Sequence, residues 1–160
     1  MYNYFASGES DSYSFARETY PIFVAADDPD TQYERYDDRI GYVVVNEPLG
    51  STLTDGSDGQ HLGHYRALYA SDDVVGYVVV PGAQIERTGT PGTNMTVETA
   101  VSIDGASFTY ERETTVDDDG TYTVTVAYPG EYAVGNESVR VTEADVESGS
   151  SIVVRSEGAE

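Results

Sequence analysis

The stretch that most constrains this chain runs from Asp117 to Val134. Asp117-Asp118-Asp119-Gly120 is an acidic turn, and Gly120 can take a positive φ without steric cost. A strict alternation follows. Tyr122, Val124 and Val126 point one way, and Thr121, Thr123 and Thr125 the other. That pattern describes a half-buried strand made of residues that suit a pleated surface. Tyr128-Pro129-Gly130 reads as a second turn, and Glu131 to Val134 as the returning strand. A lone hairpin cannot bury its apolar face. Its neighbours must therefore supply a second sheet, and a small β-sandwich is expected.

The flanking sequence agrees with that from Thr96 onward. Short strands are expected at Val97 to Ile103, Ser107 to Arg112, Ser138 to Thr142 and Ser151 to Arg155, with one helical turn at Glu143 to Ser148. Pro81-Gly82 marks a boundary, and Ala83 to Glu86 opens a new strand. The first half reads differently. Tyr13, Ala16, Tyr20, Phe23 and Val24 recur at helical spacing behind a Ser10 or Ser12 cap, with Pro21 as a kink. Asp27-Asp28-Pro29-Asp30 stops that helix, and Thr31 to Asp38 suggests another short one. Ile40 to Val45 suits a strand buried on both faces. Residues 46 to 60 read as a long loop. Tyr65 to Tyr69 and Val74 to Val80 look like a hairpin. The expected fold class is thus α+β: N-terminal helices with a small sheet over residues 1–82, then an all-β sandwich over 83–160.

Charge narrows the partners. Eight Arg and no Lys face 29 carboxylates, for a net charge of −21. Such a chain repels nucleic acid and anionic membrane surfaces. Alternating Tyr, Val and Ile runs argue against disorder. The composition suits a surface adapted to molar salt, where the Debye length falls to about 3 Å and screens the self-repulsion. The chain has no cysteine, so disulfides and thiolate chemistry are excluded. No apolar run approaches the ~18 residues of a membrane span. Residues 1 to 10 lack the basic and apolar parts of a signal peptide. The expectation is a cytoplasmic chain, or a soluble piece of a larger exported or membrane-bound protein.

Candidate sites are few. His61 and His64 stand three apart, but Gly63 between them and the lack of a third ligand favour a surface His61 and a packed His64. Asp117, Asp118 and Asp119 could offer oxygens to Ca²⁺, although no bidentate Glu sits at the EF-hand distance and a solvated turn explains them as well. Asn94-Met95-Thr96 and Asn136-Glu137-Ser138 are N-glycosylation sequons. No nucleophile elbow, phosphate loop or recognisable carboxylate pair is present, so no catalytic or cofactor-binding residue is nominated. A tyrosine-lined face could bind sugar; packing at sheet surfaces accounts for it equally.

Several segments together resemble a family. Ser12-Tyr13-Ser14-Phe15-Ala16 through Tyr20 and Phe23, Asp38-Arg39-Ile40-Gly41-Tyr42-Val43-Val44-Val45, Leu62-Gly63-His64-Tyr65-Arg66-Ala67-Leu68-Tyr69-Ala70-Ser71 and Val80-Pro81-Gly82-Ala83-Gln84-Ile85 are similar to the region after the membrane part of haloarchaeal oligosaccharyltransferases of the AglB type. Residues 101 to 134 also resemble a carboxypeptidase-regulatory or prealbumin-like sandwich. The resemblance implies a C-terminal extracytoplasmic part of a multi-pass membrane enzyme. That enzyme moves a dolichol-linked oligosaccharide to the Asn of sequons with a divalent metal, Mg or Mn. Its implied partners are the transmembrane part of the same polypeptide and an acceptor polypeptide. The family's Trp-Trp-Asp-Tyr-Gly and Asp/Lys motifs have no counterpart, because the chain lacks Trp and Lys. No catalytic residue carries over, and the expected role is structural support and acceptor access. The alternatives from the residues are a surface carbohydrate-binding or adhesion module of a halophile, and a cytoplasmic α+β protein.

Overall fold

The computed structural model describes residues 29–36, 41–45, 62–71 and 74–154. The helix expected over Ser12 to Val24 and the loop over 46–60 lie outside the described residues. A 3-10 turn at Pro29–Gln32 leads into α1, Tyr33–Tyr36. Then come β1 (Tyr42–Val45), β2 (Tyr65–Ala70) and β3 (Val75–Val79). The rest is β4 (Ala83–Thr88), β5 (Asn94–Ile103), β6 (Ala106–Thr115), β7 (Thr121–Val126), β8 (Gly130–Val134), β9 (Glu137–Val141), α2 (Glu143–Ser148) and β10 (Ser151–Val153).

The α+β expectation is corrected. Among the described residues strand dominates, and helix is confined to the 3-10 turn and two short α segments. Tyr33 and Tyr36 sustain helical spacing for a single turn only, and the segments after it alternate Val, Tyr and Thr, which favour a pleated surface. The strands form three small sheets: β1-β3-β2, β10-β4-β7 and β6-β5-β8-β9. The first is entirely antiparallel, and β2 and β3 make the hairpin read from the sequence. The other two face each other as a sandwich. Their core includes Ile85, Val97, Tyr110, Tyr122, Tyr132 and Val134, all essentially inaccessible.

The opening stretch needs a second correction. β7 and β8 are not a hairpin. β7 pairs with β4 from Val126↔Ala83 to Thr121↔Thr88, whereas β8 pairs with β5 and β9 in the opposite sheet. Ala127 and Tyr128 are buried as the chain crosses between the layers. The true hairpins close elsewhere. Between β5 and β6, Asp104 and Gly105 take φ of 50° and 84°, the pair of positive values that a two-residue type I′ turn requires. Gly135 and Asn136 join β8 to β9.

α2 is short but fully terminated. The Thr142 side chain accepts from the Asp145 N–H, and the Asp145 carboxylate accepts from the Thr142 N–H at 2.8 Å, a reciprocal capping box. The Thr142 hydroxyl also donates to that carboxylate at 2.6 Å, and this bond together with the one from the Thr142 N–H lowers the Asp145 pKa. Gly149 ends the helix in a left-handed conformation, and Val146 anchors it in the sandwich core.

Candidate functional site

The densest polar arrangement among the described residues is the seam between the first sheet and the sandwich. Three tyrosines from the sandwich build it. The Tyr110 hydroxyl donates to the Leu62 carbonyl at 2.8 Å and accepts from the Ala127 N–H at 3.0 Å. The Tyr128 hydroxyl accepts from the Ala67 N–H of β2 at 2.8 Å. The Tyr132 hydroxyl donates to the Tyr128 carbonyl at 2.7 Å. Their rings meet edge to face, with centroids of Tyr110 and Tyr128 4.7 Å apart. Alternation places each ring in the core, and the hydroxyls satisfy main-chain groups that the seam would otherwise bury unpaired. Burial pushes the Tyr128 phenol up to about 12 and raises Tyr110 and Tyr132 as well, so all three are neutral donors and acceptors at ordinary pH.

A charged clamp adjoins them. The Asp30 carboxylate accepts from the Gly63 N–H at 2.6 Å and the His64 N–H at 2.9 Å, and pairs with the Arg112 guanidinium at 3.0 Å. Arg112 also donates through Nε to the Thr125 carbonyl at 3.0 Å. One acidic side chain thus joins the N-terminal turn, the entry to β2 and strand β6. Backbone approach is close here. A Cβ on Gly82, whose φ is 74°, would lie 2.5 Å from the Gly63 carbonyl, and one on Gly63 would lie 2.8 Å from the Thr125 carbonyl. Only glycine fits at either point.

Beside the seam an open groove of about 410 Å³ is lined by Arg66 to Leu68, Ala100 to Asp104, Tyr128, Pro129 and Glu143. Arg66 pairs with Glu143 across it at 2.6 Å.

The residues nominated from sequence fall away from this seam. Asp119 turns back on its own chain: its carboxylate accepts from the Thr121 N–H at 2.9 Å and the Thr121 hydroxyl at 2.7 Å, which lowers its pKa. Asp117 and Asp118 are exposed on the same turn. Among the described residues no three His, Asp or Glu side chains gather as metal ligands. Asn94 begins β5, exposed, and accepts from the Thr115 hydroxyl at 3.1 Å. Asn136 is exposed in the β8–β9 turn. His64 stacks on Tyr33 at 3.8 Å, and its Nδ1 lies 3.2 Å from the Val80 carbonyl; His61 is outside the described residues. The tyrosines that suggested a sugar face are mostly core: Tyr65, Tyr77, Tyr110, Tyr122, Tyr128 and Tyr132 are buried. Sequence reasoning missed the seam. Its only advance signal was tyrosine, rather than leucine or phenylalanine, at inward strand positions.

Residues 82–152 match the family model of the archaeal glycosylation protein B long peripheral domain. Over that segment, which is under half of the chain, the sequence is similar to this peripheral domain. No described helix of this chain is long and apolar enough to cross a membrane. Among solved structures, the oligosaccharyltransferase of Archaeoglobus fulgidus in complex with Zn and sulfate is 24% identical over 52% of this chain and 12% of that one, with a TM-score of 0.44. The AglB of the same organism with an inhibitory peptide and a dolichol-phosphate gives 24%, 52%, 11% and 0.44. Its apo form is 18% identical over 79% of this chain and 14% of that one, with a TM-score of 0.45. The chain thus spans a small fraction of the length of these enzymes. No curated protein matches it.

Proposed function

We propose that the chain is the C-terminal extracytoplasmic part of an AglB-type oligosaccharyltransferase from a salt-adapted archaeon. Residues 1–82 form a unit that rests on the membrane-embedded catalytic part of the same polypeptide, and residues 83–160 form the peripheral sandwich. The parent enzyme transfers a dolichol-linked oligosaccharide to Asn in sequons with a divalent metal, Mg or Mn, held outside this segment. The role of the segment is to brace the outer face and shape access for the acceptor polypeptide. The observation that carries this reading is the family match over 82–152, on a sandwich whose buried tyrosines grip the strand before it. Two clusters of buried side chains, one from Tyr36 to Tyr77 and one from Val80 to Val146, support a division near residue 82, with Ile103 packed against both. Asn94 and Asn136 are exposed, as acceptors on an extracytoplasmic surface must be.

The test is glycan transfer to a sequon peptide by the full parent polypeptide with and without this segment. Loss of transfer supports the bracing role. Undiminished transfer removes it.

A further inference from the structure

Among the described residues, side chains cover main-chain groups at two strand edges of the seam. On β2 the outward Ala67 N–H is taken by the Tyr128 hydroxyl. Along β7 and just beyond it, the Thr125 carbonyl is taken by Arg112 and the Ala127 N–H by Tyr110. β5 is different. It pairs with β6 along its whole length, from Asn94↔Thr115 to Ile103↔Ala106, but with β8 only at Val97↔Val134 and Glu98↔Ala133. The two strands part where the Thr99 hydroxyl donates to the Glu131 carbonyl and replaces a main-chain bond. The two-residue turn at Asp104-Gly105 fixes which groups are left over. In such a hairpin the closing pair exchanges both hydrogen bonds, so Ile103, Val101 and Thr99 bond to β6. Ala100 and Ser102 then turn their N–H and C=O groups away from β6 and into the groove. Among the described residues no segment pairs with them there.

We propose that this open half of β5 takes an extended segment of another polypeptide as an added strand. The open stretch Ala100–Ile103 is about 13 Å long at ~3.3 Å per residue, and main-chain pairing there needs no particular side chain in the guest. The groove adds one directed donor. Arg66 Nε is buried without a partner, although the same guanidinium pairs with Glu143, and it can donate to a carbonyl of the added strand. Charge defines the guest further. Exposed Asp104 and Glu143 stand at the groove, and the chain carries −21, so the guest strand is neutral or basic. This goes beyond the bracing role and does not depend on it.

The test is amide NMR of the whole chain titrated with a short synthetic peptide of alternating valine and threonine ending in arginine. Shifts confined to Ala100–Asp104 and Arg66–Leu68 are expected. Ser102→Pro removes an outward donor without touching the β6 ladder, a place where an edge proline is tolerated. It should weaken binding at least tenfold, whereas Ser102→Ala should not. Replacing the peptide's threonines by glutamates should also weaken it. A saturating peptide that leaves those amides unmoved overturns the inference, whether or not the proline variant folds. So does the same perturbation appearing with protein concentration alone, which would mean that a second copy covers the edge.

Discussion

The first sheet and the sandwich draw on the same residue types, valine and tyrosine, yet they are held together differently. The sandwich encloses its own core from Val80 to Val146. Among the described residues the first sheet buries a small cluster, Val43, Tyr65, Ala67, Val75 and Tyr77 on its three short strands with Tyr36 of α1. Its remaining anchors are borrowed: Tyr110, Tyr128 and Arg112 all reach out from the sandwich. A three-stranded sheet of this size is marginal alone. The expectation is that the sandwich folds without the sheet, whereas the described part of the sheet leans on the sandwich.

Alkali should break both regions at once. Tyr128, Tyr110 and Tyr132 have folded pKa values above the ~10 of an exposed phenol. A raised folded value means the stabilisation is complete below about pH 10 and is lost as pH rises through about 12. Circular dichroism should show a single cooperative loss in that window, together with phenolate absorbance. Early, gradual phenolate formation on a folded chain would contradict the seam. Tyr132→Ala, in the centre of the sandwich, should cost about 3–5 kcal/mol by chemical denaturation, again in both regions together. Gly82→Ala meets a positive φ and the Gly63 carbonyl, and should cost about 2 kcal/mol or more with exchange rising first in β2. Tyr128→Phe removes only the bond to Ala67 and should cost about 1–2 kcal/mol. Hydrogen exchange should then speed up in the first sheet and leave β4, β5 and β7 unchanged.

Much of the sandwich was legible. The alternation in Thr121–Val126 buries Tyr122, Val124 and Val126 as read, and the strand order along the chain follows from regular turn signals. What failed was pairing. Tyr128-Pro129-Gly130 looks like a turn because each residue favours one, but Val126-Ala127-Tyr128 breaks the alternation with three consecutive buried residues. That is the mark of a chain crossing between layers, and it was available in the sequence. The seam was less accessible. Asp30 was read as part of a helix stop, and its partners Gly63, His64 and Arg112 are remote in sequence. No local pattern encodes a contact of that kind. The α+β expectation failed for a related reason. Helical spacing around Tyr33 and Tyr36 suggested a short helix over Thr31 to Asp38, where the described chain keeps a 3-10 turn and one α turn.

Independent folding of the peripheral sandwich is the expected consequence of this seam. Expression of residues 82–154 alone in molar KCl, with amide NMR and a denaturant titration, tests it. The expected result is a dispersed spectrum, β5–β6 and β4–β7 contacts intact, and one cooperative unfolding transition. A collapsed spectrum without cooperative unfolding, recovered only when residues 29–81 are restored, would contradict it.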